Sequence, residues 1–139
     1  MNPLKTFTIP GKPQAKERPR MTNGHTYTPS RTKDYEELVR LYARKARVQC
    51  IDTGPVKVTI TWAKQVPQSW SKKRKAAALA GVWAVDRMDL DNVAKSVLDS
   101  LNRIAYTDDS QVAFLSVSRL YVEQPDSITV TVISISAES

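Results

Sequence analysis

Asp89 and Asp91 stand two residues apart, Lys95 follows four residues after Asp91, and Asp108 and Asp109 are adjacent. All five lie in the window DRMDLDNVAKSVLDSLNRIAYTDDS (86–110), which holds six aspartates in a chain of net charge +7. Carboxylates this close repel, and a fold keeps them only if something positive sits among them. The chain has one cysteine, Cys50, and one histidine, His25, so no cluster of zinc-binding type can form. Carboxylate oxygens without imidazole or thiolate are the ligand set of hard Mg2+, for which Mn2+ can substitute. Such an ion takes its remaining ligands from water and substrate phosphate, polarises phosphoryl oxygens, acidifies an attacking water and stabilises the leaving oxygen. Lys95 is then the group that holds the scissile phosphate or orients the water. Taken one at a time these residues also fit helix ion pairs, a cap and a turn, worth roughly 0.3 kcal/mol each; the set as a whole points to phosphodiester chemistry.

The elements that must position these groups follow from hydrophobic spacing. In an extended MDLD segment Asp89 and Asp91 would share one face, and Asp91 or Asn92 would cap a helix running to about Asn102. On that helix Asp91, Lys95, Asp99 and Asn102 fall in one stripe, beside an apolar arc of Val93, Ala94, Val97, Leu98 and Leu101. Upstream, LKTFTI (4–9) reads as a strand. The stretch 10–30 has Pro and Gly punctuation and no periodicity, and reads as a long loop. A helix is predicted over 34–48, with Asp34 and Glu37 as a capping box. VKVTITW (56–62) alternates as a half-buried strand, and a short helix within 69–81 is capped by Ser71 and stopped by Gly81. Strands over 112–123 and 127–136 are joined by a turn at QPD. The predicted class is α/β (α+β), a two-layer domain with a small sheet and helices packed on it.

Length and charge narrow the function. At 139 residues the chain suits a single domain. No apolar run spans a bilayer and the opening MNPLKTFTIPGK lacks a secretory apolar core, so the expectation is a cytoplasmic protein without a membrane partner. Residues 1–87 hold 18 Lys and Arg against 6 acids, and residues 88–139 hold 3 against 8, giving +12 and −5. A basic body around an acidic spot suits a polyanion. Lys12, Lys16, Arg18 and Arg20, in a stretch without periodicity, and Arg87 are the expected DNA contacts. No lysine has an acid two positions before it, which excludes the nuclease class built on an (Asp/Glu)-x-Lys motif, and one histidine excludes an HNH nuclease.

DLDNVAKSVLDSLN followed by YTDDSQV resembles the signature of the RusA family of Holliday junction resolvases, in which Asp-x-Asp-Asn, Lys, Asp-x-Leu and Asp-Asp-x-Gln occur in this order. The basic IPGKPQAKERPR, the YTP segment and YEELV upstream keep the family's order too. The resemblance implies a prophage-associated, Mg2+-dependent homodimer that cuts four-way junction DNA by paired nicks in recombination and repair, with a small mixed sheet and helices in each subunit and no organic cofactor. It also implies Asp89, Asp91 and Asp109 as catalytic metal ligands, Asp108 beside them, and Lys95 as the essential lysine. The chain departs from the pattern at Arg103, where many members have Gly, and at Met88, where some have Arg. The competing reading is a non-catalytic basic nucleic-acid-binding protein of phage origin, which the same basic loop and helix would suit.

Overall fold

The structure, a computed structural model, describes residues 4–16, 20–27, 30–81 and 83–135. In chain order these form β1 (Leu4–Pro10), β2 (Arg20–Thr22), β3 (His25–Tyr27), α1 (Ser30–Lys45), β4 (Val56–Gln65), α2 (Lys72–Ala80), α3 (Leu90–Ser100), β5 (Val112–Val122) and β6 (Ser127–Ser134). The main sheet has the order β1-β6-β4-β5, with β4 parallel to β5 and antiparallel to β6, and β1 antiparallel to β6. It is therefore mixed, as the family resemblance implies.

The alternation in β4 buries Val56, Val58, Ile60 and Trp62 completely. Phe7 and Ile9 of β1 and Ile128, Val130 and Val132 of β6 extend the same apolar face, and α1 and α3 cover it with Tyr35, Val39, Ala43, Val93, Ala94 and Val97. The opposite face is threonine-rich: Thr6 and Thr8 meet Thr131 and Thr129 at 2.9 and 3.1 Å between hydroxyls. In register with those two, Thr59 and Thr61 continue the polar rows across β4. A sheet with one apolar and one hydroxyl face needs helices on one side only, and two layers result. The smaller helix α2 buries no residue. It is attached through Trp70, whose ring lies 5.5 Å from that of Tyr121 and 3.9 Å from the Arg74 guanidinium.

Three local expectations are corrected. The stretch 10–30 is not all loop, because β2 and β3 pair as a hairpin around Asn23 and Gly24, whose φ values of 51° and 80° fit the tight turn that an Asn-Gly pair favours. Helix α1 already runs at Ser30, so Asp34 lies inside it and caps nothing. Helix α3 starts at Leu90 with Asp89 as its N-cap, which puts Asp91 in the first turn rather than in an extended segment. Ser71 does cap α2, accepting the Arg74 N–H at 3.2 Å, and Gly81 follows its last turn.

Candidate active site

Helix α3 presents its two faces as the spacing requires. Val93, Ala94 and Val97 are buried, and Asp91 and Lys95 are exposed on successive turns of the outer stripe. Asp89 keeps an extended backbone (φ −70°, ψ 134°), and its side chain makes no capping hydrogen bond. Its carboxylate is thus uncommitted at the positive end of the helix dipole, beside Asp91.

At the other end of α3 the chain reverses through Arg103, at φ 68°, whose N–H meets the Tyr106 carbonyl at 2.6 Å. Tyr106 is fully buried and its hydroxyl donates to the Leu98 carbonyl at 2.7 Å, so the reversal is tied back to the helix it leaves. Gln111 then fixes the acidic loop. Its Oε1 accepts the N–H groups of Thr107 and Asp108 at 2.9 and 3.0 Å, and its Nε2 donates to the Ile51 and Gly54 carbonyls at 2.9 and 3.1 Å. Asp108 accepts the Ser110 N–H at 2.9 Å, and the hydrogen bonds from Ser110 hold its carboxyl below the usual range. Asp109 behaves oppositely: burial, a hydrogen bond shared with Asp99 and the charges of Asp108 and Asp99 push its carboxyl up, against a smaller opposing effect of Asn102. Asn102 Oδ1 is itself buried without a hydrogen-bond partner.

The acids therefore fall into two groups. Asp89 and Asp91 lie at the start of α3, and Asp99, Asp108 and Asp109 lie at its end. Eight residues separate Asp91 from Asp99, about 12 Å along the helix. Among the described residues no three side chains of metal-ligand type gather in one chain. The carboxylate chemistry suits a hard cation, but the arrangement within one chain does not complete a site for it.

Part of the missing positive charge comes from the basic arm. Lys16 Nζ stands 2.7 Å from Glu36 of α1 and 3.3 Å from Asp99, and the Lys16 N–H bonds the Asn92 carbonyl at 3.0 Å. Burial alone would lower the Lys16 ammonium, but Glu36 and Asp99 outweigh it and hold it above its ordinary value. Lys12 lies 3.6 Å from Asp86, and Lys64 lies 2.6 Å from the same oxygen. Burial opposes ionisation of Asp86, yet Lys64, the Met88 N–H and the Lys12 charge bring its carboxyl down to about 2. Arg87 is exposed between Asp86 and Met88. Arg18 lies outside the described residues, and Arg20 is described by its backbone alone, in β2. Three residues that hold the site together carry no role in the sequence analysis. Gln111 had a signal, as the last residue of DDSQ. Glu36, which pairs with Lys16, and Arg119, which hydrogen-bonds the Met88 carbonyl at 2.9 Å, had none, because their partners are remote in sequence.

The model of the endodeoxyribonuclease RusA family matches residues 10–133, an interval that includes both acidic groups and both helices that carry the core. The chain belongs to the RusA family. It is also 40% identical over 126 residues to YqaN of Bacillus subtilis (strain 168), an uncharacterized protein, an alignment covering 86% of this chain and 89% of YqaN. The family is one of DNA-cutting enzymes. No helix among the described residues is long and apolar enough to cross a membrane.

Proposed function

We propose that this RusA-family chain is a Mg2+-dependent endonuclease that resolves four-way DNA junctions as a C2 homodimer, in recombination and repair. The observation that carries this reading is the position of the two acidic groups at opposite ends of β5. Asp109 lies just before the strand begins, while Arg119 near its far end reaches the carbonyl of Met88, the residue before Asp89. Among the described residues β5 is an edge strand, paired only with β4, and it exposes Phe114 and Leu115 at 60% and 46%. A long exposed apolar edge is a hazard unless something covers it. A two-fold axis through Phe114–Ser116 would exchange the ends of two β5 strands and carry Asp108 and Asp109 of a second copy toward Asp89 and Asp91 of the first. Such an isologous contact generates two identical sites about one axis, which matches a junction whose resolution takes two symmetry-related nicks.

Within each such site Asp89, Asp91, Asp108 and Asp109 would hold the cation, Mg2+ or its substitute Mn2+. When bound, the ion supplies Lewis-acid polarisation of the phosphate and a more acidic water. Lys95, exposed one turn beyond Asp91, holds the scissile phosphate by charge. Lys12, Arg18, Arg20 and Arg87 supply phosphate contacts that position DNA without reading bases. Lys16, already paired with Glu36 and Asp99, is assigned to fixing the arm on α3.

The test is subunit complementation. Asp89→Asn and Asp109→Asn chains are each expected to be inactive on a labelled junction in Mg2+, whereas co-refolded mixtures regain single nicks, because one of the two sites in a mixed dimer is then intact. No recovery would place each site within one chain. A wild-type protein that binds junctions but cleaves none with either metal would instead favour the non-catalytic nucleic-acid-binding reading.

A further inference from the structure

The segment from Trp83 to Met88 leads into Asp89 without helix or strand, and it exposes Trp83 and Val85 at 83% and 80%. Met88 at its end packs against the core, while the rest of the segment has little apolar anchorage and is held by polar contacts as well. Two side chains provide them at one residue. Asp86 Oδ1 accepts the Met88 N–H at 2.9 Å, and Arg119 Nη1 donates to the Met88 carbonyl at 2.9 Å. Arg119 Nε also donates to the Ala84 carbonyl at 3.3 Å, so one guanidinium spans the segment. Both backbone groups of Met88 are thereby held, and its carbonyl belongs to the peptide plane that carries the Asp89 N–H.

Each clamp has its own rigid support. The Arg119 guanidinium lies 4.9 Å from the ring centroid of Trp62, which is fully buried in β4. Trp62 is fixed in turn by its Nε1–H, which donates to Asp126 at 2.7 Å, while the other oxygen of Asp126 accepts the Gln65 N–H at 3.0 Å. Asp86 is held by Lys64 of β4 at 2.6 Å. Two neighbouring strands thus grip the approach to Asp89 from both sides. Arg119 is one of only three basic residues after position 87; it is half-buried, and its Nε–H and one Nη1–H are given to backbone carbonyls.

We propose that Arg119 and Asp86 are positioning residues that aim the Asp89–Asp91 segment, and that Arg119 is not a phosphate contact. This rests on the nuclease reading above. Lysine keeps the charge at position 119 but lacks the planar fork that reaches two carbonyls. Arg119→Lys is therefore expected to lower the single-turnover cleavage rate about 10- to 100-fold, as small misplacements of reacting groups do, with junction affinity within about twofold of wild type by the same criterion. Asp86→Ala, which removes the acceptor, is expected to speed hydrogen exchange at the Met88 amide several-fold without a comparable change in the β6 amides, and to lower the cleavage rate in the same sense. Should Arg119→Lys weaken junction binding while the rate at saturation stays at the wild-type value, Arg119 is a DNA contact and the proposal is wrong. Unchanged exchange at Met88 in Asp86→Ala overturns the clamp irrespective of catalysis. A wild-type protein with no cleavage at all would overturn the nuclease reading, and the exchange measurement would still decide on the clamp.

Discussion

Asp109 returns from the loop after α3 to lie beside Asp99, and burial, with a hydrogen bond shared with Asp99 and the charges of Asp108 and Asp99, raises its carboxyl. A raised carboxyl binds its proton more tightly in the folded state, so ionising it costs stability, and that cost is relieved as pH falls through the folded value. In the metal-free protein a carboxyl NMR titration of Asp109 should accordingly fall above the ordinary carboxylate range. Asp99→Asn removes one negative neighbour and should move that titration downward. A titration that does not move would remove Asp99 as a cause.

Gln111 satisfies two N–H groups and two carbonyls with one side chain. Gln111→Glu turns the donating end against the Ile51 and Gly54 carbonyls, and should cost about 1 kcal/mol in urea unfolding, the net scale of a typical hydrogen bond at a partly exposed site. Cleavage should fall further than stability alone explains, because Asp108 and Asp109 ride on the loop that Gln111 fixes.

Lys16 and the remaining arm residues should separate by experiment. Lys16→Met leaves Glu36, whose side chain is 10% exposed, without its closest cation and should destabilise by about 1–3 kcal/mol. It should leave the salt dependence of junction binding almost unchanged. Replacing Lys12, Arg18 and Arg20 together should instead flatten the slope of log affinity against log salt by about 0.9 for each phosphate that is no longer neutralised, with little effect on the melting temperature.

Lys95 is exposed and pairs with no acid among the described residues. Lys95→Ala should leave the melting temperature within a degree or two and lower the cleavage rate by about 100-fold or more, the scale of removing one electrostatic stabiliser. A rate near that of wild type would take Lys95 out of the site.

Arg103 holds φ 68°, a left-handed conformation that costs a non-glycine residue about 1 kcal/mol. Arg103→Gly removes that strain at a smaller entropic cost and should stabilise the chain by roughly 0.5 kcal/mol, read as a shift of the urea midpoint at constant slope.

The sequence by itself determined the sheet and helix inventory wherever one periodicity ran uninterrupted. Val56 to Trp62 alternate because one sheet face is apolar and the other hydroxyl, and the apolar arc of α3 recurs at the helical spacing because one side packs and the other faces water. It also determined the acidic stripe and the family signature, since both are local in the chain. Element starts were less legible. Ser30 begins α1 and Leu90 begins α3 because termini depend on local capping competition, in which Asp34 and Asp91 were equally plausible caps. Which acids meet was decided by the tertiary structure alone. Asp109 finds Asp99 because Tyr106 and Gln111 fold the loop back onto α3, while Asp89 and Asp91 are left at the opposite end of that helix. The arm's direction was decided in the same way. Lys16 is one basic residue among several in the sequence, and only the packing of α1 against α3 brings Glu36 and Asp99 to either side of it, where their combined charge holds the ammonium in place against burial.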